Sequence, residues 1–151
     1  MKNNTMKNNT LAEDYGIFKT CAAEYDAAEN EEAKEAARKK VQELYAQVDA
    51  RGEDYVRLYK LYESAQEREN AYIDLNDCIW DRDVQGLIDS FRKYGIDHFT
   101  FSSTWSSAVE TAWLFLQNGC TLEGLIEINS QYEVFASDEH EKAHGYLFKV
   151  N

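Results

Sequence analysis

The chain has no proline in 151 residues. The ring that ordinarily stops a helix is missing, which favours long helices. Cysteine is scarce and odd in number: Cys21, Cys78 and Cys120 lie far apart, with no C-x-x-C. That excludes a disulfide framework and fits free, mostly buried thiols in a reducing cytoplasm. No apolar run approaches the roughly 18 residues that span a bilayer, so no membrane partner is expected. The polar start Met1-Lys2-Asn3-Asn4-Thr5 has no apolar stretch behind it, so no signal peptide is expected. The patterns G-x-x-x-x-G-K-[ST], G-x-G-x-x-G and G-x-S-x-G are absent, which leaves no phosphate loop, dinucleotide fingerprint or nucleophile elbow. Basic residues are few in one half. Residues 71–151 hold five Lys and Arg against thirteen Asp and Glu, a balance of −8, whereas residues 1–70 hold eleven against fifteen, a balance of −4. A surface of that sign repels nucleic acid and attracts basic proteins, so direct DNA binding is not expected.

What is present is globular. Hydrophobic residues make up 44% of the chain and aromatics 13%, including ten Tyr and three Trp. Such residues suit cores and interfaces alike. Met1–Thr5 is repeated as Met6–Thr10, a polar stretch without an apolar face, so residues 1–10 are expected to be a disordered arm. From Leu11 the residues Leu11, Tyr15, Phe18, Ala22 and Tyr25 recur at helical spacing. Asn30 caps a second helix carrying Ala37, Val41, Leu44 and Val48, with Glu31 and Glu32 at the positive end of its dipole. Gly52 ends or bends that helix, and Tyr55, Leu58, Tyr59 and Tyr62 mark a third. Residues 11–70 therefore form a helical region.

Residues 71–151 read as an α+β unit. Tyr72–Asp77 is ambiguous between a strand and a link. Val84, Leu87, Ile88 and Phe91 define a helix, with Asp81 or Asp83 to cap it and Gly95 to stop it. Ile96–Ser102 is a strand by alternation. Ser107 and Glu110 have capping-box spacing before the helix Ala108–Gln117, which presents Val109, Ala112, Trp113 and Leu116 on one side. Leu122–Asn129 and Tyr146–Val150 complete the strands. The expected fold is α+β: a helical N-terminal half of two to three helices packed with a small mixed βαββ sheet, the first two strands joined by a parallel crossover. Its expected core is Phe99, Phe101, Trp113, Leu116, Ile126, Ile128 and Phe148.

The stretch Ile96–Ile128, above all FTFSSTWSSAVETAWLFLQNGCTLEGLIEIN, and the ending HGYLFKVN carry a resemblance. Over about Tyr72 to Asn151 the chain resembles small uncharacterised accessory proteins of phages and conjugative elements of gut bacteria. The resemblance implies a genomic neighbourhood in which small acidic proteins include anti-CRISPR and other anti-defence inhibitors. It brings no residue roles with it.

Candidate chemistry is thin. His140-Glu141-Lys142-Ala143-His144 satisfies H-E-x-x-H, which on a helix puts two imidazoles on one face for zinc and a Glu for its water. Seven residues follow His144, with no His, Asp or Glu among them, so no third ligand follows the motif. The expectation is a solvated helical turn, with a metal-dependent hydrolase on His140 and His144 as the alternative. Ser102, Ser103, Thr104, Ser106 and Ser107 cluster at a strand-to-helix turn, where turn and cap chemistry is expected. His98 and Asp97, as strand neighbours, are expected on opposite faces and unpaired. Asp74, Asn76 and Cys78 open like a calcium loop, but Ile79 stands where Gly is needed and Gln85 closes it, which rejects calcium.

The remaining candidate is a carboxylate array: Asp74, Asp77, Asp81, Asp83 and Asp89, with the first three on one side if the segment is helical. Such an array imitates phosphates toward a basic groove. The expected function is a non-enzymatic acidic binding protein, without cofactor. Its expected partner is a basic nucleic-acid-handling protein such as a CRISPR effector with its guide RNA. Self-association through the tyrosine-rich helices is a further alternative.

Overall fold

A computed structural model describes residues 9–76 and 79–151, so most of the expected disordered arm lies outside the described residues, while Asn9 and Thr10, its last two, open the first helix. Three helices come first: α1 (Asn9–Ala27), α2 (Glu31–Ala50) and α3 (Glu53–Glu67). They are followed by β1 (Ile73–Leu75), a 3-10 turn at Asp81–Asp83, α4 (Val84–Tyr94), β2 (His98–Phe101), α5 (Ala108–Gln117), β3 (Cys120–Glu133) and β4 (His140–Val150). The α+β expectation holds, with the helical half packed on a four-stranded mixed sheet.

Local chemistry sets the boundaries. The Asn30 side chain accepts the Ala33 N–H at 2.8 Å, the bond that starts α2. Gly52, at φ 106, separates α2 from α3, and Gly95, at φ 73, ends α4 in the left-handed conformation. Two expected caps do not form. Ser107 and Asp83 occupy the positions before α5 and α4, but neither side chain makes a capping bond.

The strand order is β1-β2-β4-β3. β1 and β2 are parallel neighbours joined through α4, so the ambiguous segment at Tyr72–Asp77 supplies an edge strand. β4 lies antiparallel between β2 and β3, with Phe99 opposite Phe148 and Ile126 opposite Gly145. The two strands flanking α5 therefore run in the same direction, as expected, but with β4 inserted between them. The β3–β4 hairpin is longer than its apolar residues suggested. It extends through residues 130–133 and 140–144, largely polar segments whose residues are exposed or half-buried.

One apolar cluster spans both halves, running from Leu11, Leu44 and Tyr55 to Phe91, Phe99 and Phe148. At its centre Phe99 stacks on Phe148 at 5.4 Å and meets Phe115 edge-on at 5.0 Å. The ring that fills this place is Phe115, not Trp113. The α5 helix buries Thr111 and Phe115, while Trp113 is 56% exposed and Leu116 is also exposed. The expected inward face of α5 is thus its outward face. Ile128 is buried as expected, and Ile126 is half-buried.

Candidate functional site

The outward face of α5 carries large apolar side chains in solvent. Val109, Trp113 and Leu116 follow one another at helical spacing, and all are exposed, Val109 to 80%. Trp105 stands one turn before Val109, where the Ala108 N–H donates to the Trp105 carbonyl at 3.0 Å. The Trp105 ring meets the exposed Trp80 ring at 5.7 Å. All three tryptophans of the chain are therefore exposed, on an apolar surface running from the 3-10 turn along α5. Solvent contact on large aromatic rings is costly, and contiguous exposed apolar surface marks interaction sites.

Acidic groups border this surface. The Thr111 hydroxyl donates to Asp81 Oδ1 at 2.8 Å, which ties the Trp80–Asp81 turn to α5. Asp81 is exposed, Asp83 is half-buried beside it, and Glu110 is exposed on the first turn of α5. Asp83 lies 4.0 Å from the Arg82 guanidinium, a weak surface pair.

The expected carboxylate array comes apart in the fold. Asp74 is not on a helix with Asp81. It sits on β1, 2% exposed, and accepts hydrogen bonds from the Thr100 and Ser102 hydroxyls, each at 2.7 Å. That carboxylate holds β1 to β2 and is not free to imitate a phosphate. Asp77 lies outside the described residues, as does Cys78. Asp89 is exposed on α4 and lies 3.4 Å from Arg92. Asp81 and Asp83 are the members that the structure brings together.

The H-E-x-x-H segment is not helical. His140–His144 opens β4, and residues four apart on a strand are separated by roughly 13 Å. The spacing that would place two imidazoles on one ion on a helix therefore does not do so here. Among the described residues, no three His, Cys, Asp or Glu side chains gather as a metal site requires.

His98 corrects another expectation. Its Nδ1 lies 2.9 Å from Asp97 Oδ1 and its Nε2 lies 2.8 Å from Glu123 Oε1, with the ring 5.7 Å from that of Tyr72. Asp97 precedes β2, so strand alternation does not direct it away from its neighbour. Glu123 is the bulged residue of β3, between Leu122 and Gly124 in the β3–β4 register. The imidazole thus links the start of β2 to β3 across β4. The serine-rich turn follows turn chemistry: Ser102 serves Asp74, and Ser103 Oγ accepts the Trp105 N–H at 3.2 Å.

Burial shifts the titration of several further groups. The Cys120 thiol is pushed up to about 11 by desolvation, which keeps it protonated at neutral pH. Cys21 is also free and buried. Glu63 is raised by burial and by the neighbouring Glu67 charge, and desolvation lifts the Tyr15, Tyr45 and Tyr62 hydroxyls above their ordinary range. No helix among the described residues is long and apolar enough to cross a membrane.

The chain belongs to the family described as a domain of unknown function, DUF7698, which matches residues 57–150. The match begins within α3 and takes in the sheet, α4 and α5. No curated protein and no solved structure matches the chain.

Proposed function

Starting from a family without assigned chemistry, we propose that this protein is a non-enzymatic acidic binding protein that docks a basic protein on the tryptophan face of α5. The observation that carries the reading is the exposure of all three tryptophans, Trp80 and Trp105 in ring contact and Trp113 on the exposed face of α5 that follows them. Tryptophan is the residue most enriched at binding hot spots, where a rigid ring buries a large area at little entropic cost. A basic partner fits this surface twice over. Arginine stacks on indole faces, and Asp81, Asp83 and Glu110 complement its charge.

The chain's net charge of −12 adds long-range attraction to such a partner. On this reading the partner is a nucleic-acid-handling protein of the kind that mobile-element inhibitors block. A CRISPR effector, with and without its guide RNA, is the first candidate to assay. The sequence resemblance and the charge support that choice. The carboxylates available to imitate phosphates are Asp81, Asp83 and Asp89.

Binding should be measured by biolayer interferometry against the effector across a salt series. Trp113→Ala and Trp105→Ala should each weaken binding by at least about tenfold, the loss typical of a hot-spot residue. Asp81→Lys with Asp83→Lys should slow association and flatten the salt dependence. Unchanged affinity in both tryptophan variants would remove the face from consideration. Light scattering on the free protein distinguishes self-association: a dimer dissociated by Trp113→Ala would assign the face to a second copy of this chain instead.

A further inference from the structure

The sheet ends in an edge that the fold leaves open. β3 is its last strand and has β4 on one side only. One contact gives the backbone directions along it. The Asn129 N–H donates to the Asn70 side-chain oxygen, and the Asn129 carbonyl accepts from the Asn70 amide, both at 2.9 Å. Asn129 therefore turns its backbone groups away from β4. In an antiparallel pair that direction alternates from residue to residue, so Leu125 and Glu127 turn theirs outward as well. Among the described residues no other backbone bonds them there. The Asn70 amide meets Asn129 as the backbone of a neighbouring strand would, so the edge already accepts a partner at its far end.

The open stretch is residues 124–128. The bulge at Glu123 interrupts the ladder before it, and Asn70 closes it at Asn129. Natural edges are ordinarily guarded by lysine, proline or a covering element. β3 contains no Lys, Arg or Pro, and its charged residues are Glu123, Glu127 and Glu133. Glu123 is engaged by His98, whereas Glu127 is exposed. Beside it Leu125 is 56% exposed and stands opposite Tyr146 of β4, also exposed. Opposed residues share a face of the sheet. The helix α5 covers that face at Phe148, through Phe115 at 5.2 Å, and leaves Leu125 and Tyr146 in water.

We propose that this edge takes an extended segment of a basic protein as a fifth strand. The segment's backbone bonds the outward N–H and C=O groups of Leu125 and Glu127, as in strand addition. Residues two apart on the added strand then face Leu125 and Glu127, so an apolar residue and a Lys or Arg at that spacing fit the pair. Charge decides the occupant. A second copy paired through this edge would bring two Glu127 carboxylates together on one face, which is destabilising, whereas a basic segment brings the opposite charge.

The test is an NMR titration of the full chain with the end-capped peptide Thr-Lys-Thr-Val-Thr-Lys-Thr, which offers the same spacing in either direction. It should give saturable shifts at the Leu125 and Glu127 amides. With peptide at about ten times its Kd, solvent exchange of those two amides should slow by about tenfold. N-methylation of the valine and both lysines removes the donors that face β3 and should weaken binding by at least about tenfold, whereas N-methylation of the inner threonines, on the far edge, should change it by less than about threefold. Glu127→Lys should weaken binding by roughly fivefold, with an unmoved Asn129 amide as the check on its fold. If that variant fails to fold, the methylated peptides carry the test. Absence of saturation at the two amides would overturn the proposal. So would equal binding of the two methylated peptides, or of a peptide with glutamate in place of lysine. Shifts of the same amides on raising the protein concentration alone would seat a second copy on the edge and overturn it as well. No effector enters the assay, so its outcome is separate from that of the tryptophan face.

Discussion

Charge means different things at different positions in this chain, and Asp74 makes the point. In the sequence it heads a run of aspartates and looks like surface. In the fold it is a buried strand residue with two hydroxyl donors, Thr100 and Ser102. A carboxylate in that setting repays its desolvation only through such bonds. Asp74→Ala should therefore destabilise the protein by about 3 kcal/mol, because the buried Thr100 hydroxyl and the half-buried Ser102 hydroxyl lose a charged acceptor. Asp89→Ala, on an exposed surface with one weak ion pair, should cost under about 0.5 kcal/mol. Urea denaturation of the two variants checks this, and equal losses would mean that Asp74 is not the anchor between β1 and β2. Lysine at position 74 would unfold the site and not report on binding, so charge-reversal tests belong to Asp81 and Asp83. Arg68 is the positive counterpart, a buried cation whose neighbours in sequence are two exposed glutamates.

Elements were legible where one face differs chemically from the other. The helix α4, with Val84, Leu87, Ile88 and Phe91 inward and Gly95 at its end, follows its apolar spacing directly. The second and third helices and the Asn30 cap do so as well. The helix α5 does not, because it has two apolar stripes. Ala108, Thr111, Ala112 and Phe115 form one, and Val109, Trp113 and Leu116 the other. Periodicity cannot choose between two such faces; the fit of a phenylalanine among Phe99, Phe101 and Phe148 does. The polar end of β4 was illegible for a different reason. Its H-E-x-x-H spacing suggests a helix, but the hairpin pairing of Glu127 with His144 and Ile128 with Ala143 overrides local preference. The candidate site is half legible: the sequence marks Asp81 and Asp83 as part of a charge array, but its periodicity puts Trp113 in the core and gives Trp80 and Trp105 no place. The two faces of α5 separate cleanly by mutation. Phe115→Ala should cost about 3–5 kcal/mol, as for a fully buried aromatic ring, and Trp113→Ala under about 1 kcal/mol. A reversed order in thermal melts would mean that α5 is turned the other way.

At the scale of the molecule, charge and core divide the chain differently. The acid excess belongs to the half that carries the tryptophan face, whereas the core ignores that division. Leu11 and Leu44 belong to the same buried cluster as Phe99 and Phe148. Polar and aromatic links cross the same boundary: the Asn70 side chain donates to the Asn129 carbonyl at 2.9 Å, and the Tyr55 ring meets Tyr94 edge-on at 5.3 Å. The family match begins at residue 57, just after that tyrosine, so the helices before it supply cover for α3 that the matched segment lacks by itself. A shared core of this kind unfolds as one unit. Helical circular dichroism and the NMR ring signals of Phe99 and Phe148 should then lose intensity at the same denaturant concentration. Tryptophan fluorescence is the wrong probe for this, since all three indoles are already exposed. Leu11→Ala should shift both transitions together, by roughly the 2–5 kcal/mol of a core leucine truncation. If Leu11→Ala instead melts the helical signal while the phenylalanine rings stay native, the two halves are separate folding units. The α1–α2 pair would then be an appendage to the domain that carries the site.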